Sequence, residues 1–293
     1  TSPAFSADID NQAGNCVGTT TAVPNEINMI DPDFRFPQVF RGSLAIDRQL
    51  PMGFVGTLEG LYTKAVNDVL YRELTIKGAS ATTVEGRPRF DRLSVPFSNI
   101  TDVTNTDKNY SYNLTGQLQR NFLDKWSGSV AYTFSRSMDV TSTTSSQAFS
   151  NWRFNPIGND PNDPDLTRSN FDVPHRIVAN GSYRLELFSG FATDLSLIYV
   201  GESGQPFSFT YFSSDVNNDG SNGNDLLYVP RDASEIRFQP VGTGQTITPE
   251  QSFANFDAFI ESVECLADAR GTVIERNSCR TPWSNRFDVR IAQ

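Results

Sequence analysis

The chain has 293 residues, 38% of them hydrophobic, a net charge of −10 and a mean hydropathy of −0.39. With 34 acidic against 24 basic residues and no Lys/Arg cluster, nothing is present to neutralise a run of phosphates, so a nucleic-acid partner is not expected. No stretch approaches the roughly 18 consecutive apolar residues of a spanning helix, which leaves strands as the route across a membrane.

In chain order, the start at Thr1 has no basic region followed by an apolar core, so it reads as mature or internal, with internal preferred. Cys16 stands alone. Three pairs of alternating runs follow, each pair joined by a tight turn. The first covers residues 38–50 and 54–70 around Pro51–Gly53, and the second covers 109–120 and 126–136 around 122–125. The third covers 175–187 and 191–212 around 188–190, with a bend at Pro206. A last run, 283–291, has no following partner.

Successive strand side chains point to opposite faces, so each run can be split by parity. One face is apolar: Phe40, Leu44, Ile46, Leu58, Tyr62, Tyr112, Leu114, Leu118, Val130, Tyr132, Ile177, Leu197, Tyr199, Phe287, Val289 and Ile291, interspersed with Gly. The other carries Arg41, Asp47, Glu59, Arg176, Arg184, Asp194, Glu202, Asp288 and Arg290 among Ser, Thr, Asn and Gln. The turns within pairs are short, whereas residues 71–108, 139–174 and 213–282 form long connections. That asymmetry belongs to outer-membrane barrels, with periplasmic turns and extracellular loops. Phe54, Tyr62, Trp126, Phe134, Phe191 and Tyr199, near run ends, suit aromatic girdles. The expected fold is all-β: a partial antiparallel transmembrane β-barrel of about 7–8 meandering strands, with long extracellular loops and one short loop helix.

The long segments are rich in Asn, Asp, Ser, Pro and Gly and are expected to lie on the surface, too poor in apolar residues for a core of their own. The helix is placed by Thr248 as N-cap, Pro249 at N1 and Gln251 as capping-box partner, ahead of Phe253, Phe256, Phe259 and Ile260, with Gly271 to end it. Asp215, Asn217, Asp219 and Gly220 have the alternating oxygens and central glycine of a Ca²⁺ loop, but Leu226 occupies the twelfth position. Asn222, Asn224 or Asp225 could substitute, giving Asp215, Asn217, Asp219 and Asp225 as candidate Ca²⁺ ligands; the alternative is an Asn/Asp/Gly turn without metal. His175 is expected as a girdle or hydrogen-bonding residue. With no nucleophile elbow, zinc helix or phosphate-binding glycine loop, no catalytic residue and no enzyme activity are expected. A Cys265–Cys279 disulfide is compatible with export, though its spacing is not diagnostic.

Several phrases carry a family likeness: DPDFRFPQVFRGSLAIDRQLPMGFVGTLEGLYTKAVNDVLYREL, SNFDVPHRIVANGSYRLE, GESGQPFSFTY followed by DVNNDGSNGNDLLYVP, and SCRTPWSNRFDVRIAQ. The chain resembles TonB-dependent outer-membrane receptors of the Oar-like type, whose full-length members have a carboxypeptidase-regulatory-like N-terminal domain. The resemblance implies a barrel of about 22 strands around a plug. It also implies outer-membrane lipid, the protein's own plug, a TonB complex and an unidentified ligand as partners. No plug, TonB box or terminal aromatic strand is recognisable, so residues 1–293 are read as one incomplete barrel domain. The expected function is ligand binding by extracellular loops and plug-gated transport; a cell-surface adhesion protein and a passive porin are the rivals.

Overall fold

The computed structural model describes residues 25–123, 125–188, 191–236, 238 and 247–293; Cys16 lies outside them. Its frame is a set of seven long strands: β1 (Gln38–Gln49), β2 (Phe54–Glu73), β3 (Tyr110–Leu123), β4 (Trp126–Asp139), β5 (His175–Phe188), β6 (Phe191–Glu202) and β7 (Ser284–Ala292). Each pairs antiparallel with the next in chain order, giving a meander. No proline interrupts any of the seven, so every interior N–H is available to the ladder. Among the described residues β1 and β7 pair on one side only, so the sheet is not closed, as in a partial barrel.

The turn between β1 and β2 is a short 3-10 element, Pro51–Gly53, that needs two left-handed residues, Met52 at φ 60° and Gly53 at φ 76°. Beyond residue 67, β2 outruns β1 and β3, and its last part pairs with strand Asn99–Thr106, which also holds Glu26–Ile30 in parallel. The run expected over 191–212 is shorter in the structure. β6 stops at Glu202, and Pro206–Phe207 leaves the wall to pair with Cys279–Arg280. There the chain packs closely on the end of the last connection: the backbone of Thr281 lies against Gly204, where any Cβ would fall 1.8 Å from its carbonyl oxygen, and the Thr281 N–H donates to Gln205 O at 3.0 Å.

The expectation that the long segments have no core is overturned. The last connection buries Leu226, Val229, Ile260, Leu266, Ile274 and Cys279 together, with Phe207, Phe209, Phe256 and Val263 packed around them. Each fully buried aliphatic of this kind contributes about 1.5–3 kcal/mol. The Cys265–Cys279 disulfide, Cα atoms 5.3 Å apart, ties the helical part of the cluster to its final strand. The predicted helix is present as α2 (Pro249–Ser262). Thr248 Oγ1 accepts from the Gln251 N–H, and Gln251 Oε1 accepts from the Thr248 N–H. It ends earlier than Gly271, because Val263 turns extended to pack on the cluster; α3 (Glu264–Ala267) follows, and Gly271 (φ 78°) comes after it. A further helix, α1 (Ala148–Arg153), lies in the second long connection.

Substituting Gly204 with Ala is expected to push Thr281 away and open the Pro206–Phe207/Cys279–Arg280 pair. Amide exchange across 203–209 and 277–283 should accelerate while β3, β4 and β5 keep their protection. Unchanged exchange in both segments would contradict the packing described.

Candidate functional site

The register aligns the outward side chains of neighbouring strands into rows. One row runs Ile46, Leu58, Gly116, Tyr132, Ile177 and Gly201. Gly201 in this row leaves the room that the Tyr199 and Trp283 rings occupy. Its large apolar side chains are exposed among the described residues: Leu44, Leu58, Leu114 and Val289 are 74%, 54%, 51% and 72% exposed. A contiguous apolar area of this kind marks an interaction surface. Along β4 the apolar stretch runs from Trp126 to Phe134, roughly 26 Å at about 3.3 Å per residue.

Charge bounds the band at both ends. On the same face, Arg48 and Arg120 stand at the short-turn end, and Lys64 and Arg136 at the long-loop end. The Arg120 guanidinium lies 4.1 Å from the Trp126 ring centroid and 5.8 Å from that of Phe54, an apolar stem and cationic head beside aromatic rings. At the other end His175 joins the aromatic row as expected from its position. Its Nδ1 is 2.7 Å from the Tyr132 hydroxyl, and its ring stacks on Tyr132 and meets Phe134 at 5.5 Å.

The opposite face is held by polar contacts across the ladder. Thr115 and Thr133 hydroxyls meet at 3.0 Å, and those of Ser182 and Ser196 at 2.8 Å. Of the charges read from the sequence, Arg184 pairs with Asp194 at 2.9 Å, Arg176 with Glu202 at 3.6 Å and Asp288 with Arg286 at 3.1 Å. Arg41 donates to Thr63 at 3.3 Å. These pairs are solvated, and solvent screening keeps them weak.

Beyond the long-loop end, all three long connections meet at residues 215–226. From the first, the Phe90 N–H donates to Asn217 O at 2.8 Å and Phe90 O accepts from Asn218 Nδ2 at 2.7 Å. From the second, the Ile157 N–H donates to Asn224 O at 2.7 Å, and Arg153 O accepts from Ser221 Oγ at 3.0 Å. Arg87, its side chain 1% exposed, fastens the junction: it pairs with Asp225 at 3.2 Å and Glu85 at 2.9 Å and donates to Leu226 O at 2.6 Å.

The four candidate Ca²⁺ ligands are thus brought into one turn, where their oxygens accept from the turn itself. Asp215 accepts from the N–H groups of Asp219 (3.0 Å) and Gly220 (2.9 Å), and Asn217 Oδ1 accepts from Asp219 N–H at 2.9 Å. Asp219 accepts from the Ser221 N–H at 2.7 Å and the Asn224 amide at 2.9 Å; Asp225 accepts from the Val216 N–H at 2.6 Å. Among the described residues no group of three or more His, Cys, Asp or Glu side chains is arranged to hold a metal. Burial raises the carboxyls of Asp219 and Asp225, the latter to about 6, and raises the Tyr211 hydroxyl, which donates to Glu85 at 2.7 Å. Arg87 escaped sequence reasoning because its partner Asp225 is 138 residues away.

An unclosed antiparallel meander, apolar outside and polar inside, with long connections gathered at one end, defines a wall of an outer-membrane β-barrel. Residues 2–293 match the family described as an outer membrane beta barrel domain, and the chain belongs to that family and to the outer membrane. No curated protein and no solved structure matches the chain. Among the described residues no helix is long and apolar enough to cross a membrane.

Replacing Arg87 with Met strands Asp225 in a buried site, at a cost of about 3–5 kcal/mol. The Asp225 value of about 6 lies above the unfolded value near 3.9, so the native loop takes up a proton as pH falls through the interval between them. Its contribution to stability therefore declines as pH rises across that window. Amides of 215–226 in the variant should exchange faster than in the parent protein, with the deficit larger at pH 7.5 than at pH 5 after correction for intrinsic rates. Equal deficits at the two pH values would refute the assignment.

Proposed function

We propose that the apolar band meets the acyl chains of the outer membrane and that the polar face lines the lumen of a TonB-dependent, plug-gated transporter. Loops at the long end capture a ligand. A plug, held by the polar wall, rearranges when the TonB complex pulls on it and lets the ligand pass. The reaction is binding and gated passage without covalent chemistry.

The observation that carries this reading is the open sheet. Among the described residues seven strands lie side by side without closing, which fits part of the wall of a wide barrel such as the 22-stranded transporters with a plugged lumen. The Oar-like phrases from Asp31 onward lie on these strands and their loops, which supports the same choice. The braced loop assembly supports capture: a junction shared by three connections presents a preformed surface, which lowers the ordering cost of binding.

The test uses the intact protein, with all native flanking sequence, purified in detergent and passed over the immobilised periplasmic domain of TonB. Retention that is lost on deleting the segment preceding the plug is the expected result. An intact protein without a plug, or one that passes through unretained, would remove the transporter reading and favour a passive pore or a surface adhesion barrel.

A further inference from the structure

The turn where the three long connections meet holds negative charge that its neighbours do not neutralise. Asp219 and Asp225 are buried and Asp215 is half-buried, close enough together that the charge of Asp215 is felt at Asp219 and those of both at Asp225. Three arginines of the first connection face this turn. Arg87 is committed to Asp225 and Glu85. Arg92 lies with Nη1 against Gly220 but donates to Thr75 Oγ1 and to the Ser98 carbonyl, and Arg89 reaches the Val216 carbonyl at 3.5 Å. Among the described residues neither Asp215 nor Asp219 forms an ion pair.

A second and independent sign is an unsatisfied oxygen beside the same carboxylate. Asn224 is 2% exposed, and its Nδ2 donates to Asp219 Oδ2 at 2.9 Å. Oδ1, on the same planar group, is buried with no hydrogen-bond partner. Native folds pair nearly all such atoms, because a buried acceptor left alone forfeits its hydration. Turning the amide over does not help. Oδ1 would then sit against the Asp219 carboxylate, two acceptors that need a cation or a proton between them. Asn217, 1% exposed, brings a further amide to the same oxygen, its Nδ2 lying 3.2 Å from Asp219 Oδ2.

We propose that this turn binds one Ca²⁺ ion through the carboxylates of Asp215 and Asp219 and the amide oxygens of Asn217 and Asn224, with backbone carbonyls and water completing the shell. The donors select the ion. All are hard oxygens, and Ca²⁺ accepts neutral amide and carbonyl oxygens beside carboxylates, so it does not require three acidic side chains. Asp225, held by Arg87 and the Val216 N–H, is left out of the set. The ion would act on more than its own turn. Phe90 of the first connection and Arg153 and Ile157 of the second are hydrogen-bonded to residues 217–224, so loading the turn fixes how the loops stand relative to one another. The inference concerns this junction alone and does not depend on a plug or on TonB.

The experiment takes the intact protein in detergent, strips it with a chelator and follows amide exchange while CaCl₂ is added back. Protection should appear with a midpoint of about 0.1–1 mM, the range of extracellular calcium modules. At ten times the midpoint, exchange over 215–226 should slow on the order of tenfold, with a smaller effect at 88–92 and 153–157 and none in β3, β4 and β5. Asp219→Asn should abolish the response. Asn224→Asp separates a metal site from a plain turn: a charged ligand gained should tighten calcium binding on the order of tenfold, whereas a turn without metal is only loosened by the added charge. Exchange that ignores calcium well above that range overturns the proposal. So does an unchanged calcium response in Asp219→Asn, or an Asn224→Asp protein that exchanges faster and gains no affinity for calcium. Equal protection by MgCl₂, whose ion prefers a small octahedral shell and keeps its waters, would mark general screening and overturn it as well.

Discussion

Inside hydrocarbon a backbone N–H or C=O with no partner costs several kcal/mol, and everything in this wall follows from that requirement. A strand cannot satisfy its own groups, so each must lie in register against neighbours, and the register then fixes which side chains share a face. Leu58 is held between Ile46 and Gly116 by ladder pairing, and the same pairing sets Thr57 toward Asp47 on the other side. Apolar and polar surfaces are consequences of one alternation. The Arg and Lys residues that close the apolar band at either end mark where the requirement lapses and water can supply the missing partners.

Past that limit the chain folds by ordinary globular rules. β2 continues beyond the reach of its wall neighbours and takes Asn99–Thr106 as a new partner. The last connection builds a small apolar cluster fastened by a disulfide, and a buried arginine ties the first connection to the last at one turn. A buried ion pair such as Arg87–Asp225 is a poor source of net stability but a strong constraint on arrangement, because neither charge can be left alone. In a surface formed by three separate connections, that constraint sets the relative placement of parts that share no continuous strand.

The wall was legible in the sequence because period-two alternation is a local signal, and the turn Pro51–Gly53 punctuates it; the turn read at 122–125 falls partly outside the described residues. Strand ends were read less well: β2 runs to Glu73 because a partner strand lies there, which no local pattern announces. Thr248 and Gln251 gave the start of α2 from four residues, whereas its end depends on Val263 packing into a distant cluster. That cluster was missed since Leu226, Val229, Ile260, Leu266 and Ile274 are scattered among polar residues and converge only in three dimensions. At the junction, spacing brought Asp215, Asn217, Asp219 and Asp225 to notice, but the groups that face them, Arg87 above all, come from other loops.

The central claim is that the even-numbered face of β4 lies in lipid. Single nitroxide labels at residues 128–134 of the membrane-inserted intact protein, read for collision with oxygen and with a polar nickel chelate, test it directly. The account predicts oxygen accessibility peaking at 128, 130, 132 and 134 and chelate accessibility peaking at 129, 131 and 133. Even positions shielded from both reagents, or a period other than two, would show that protein rather than acyl chains covers this face.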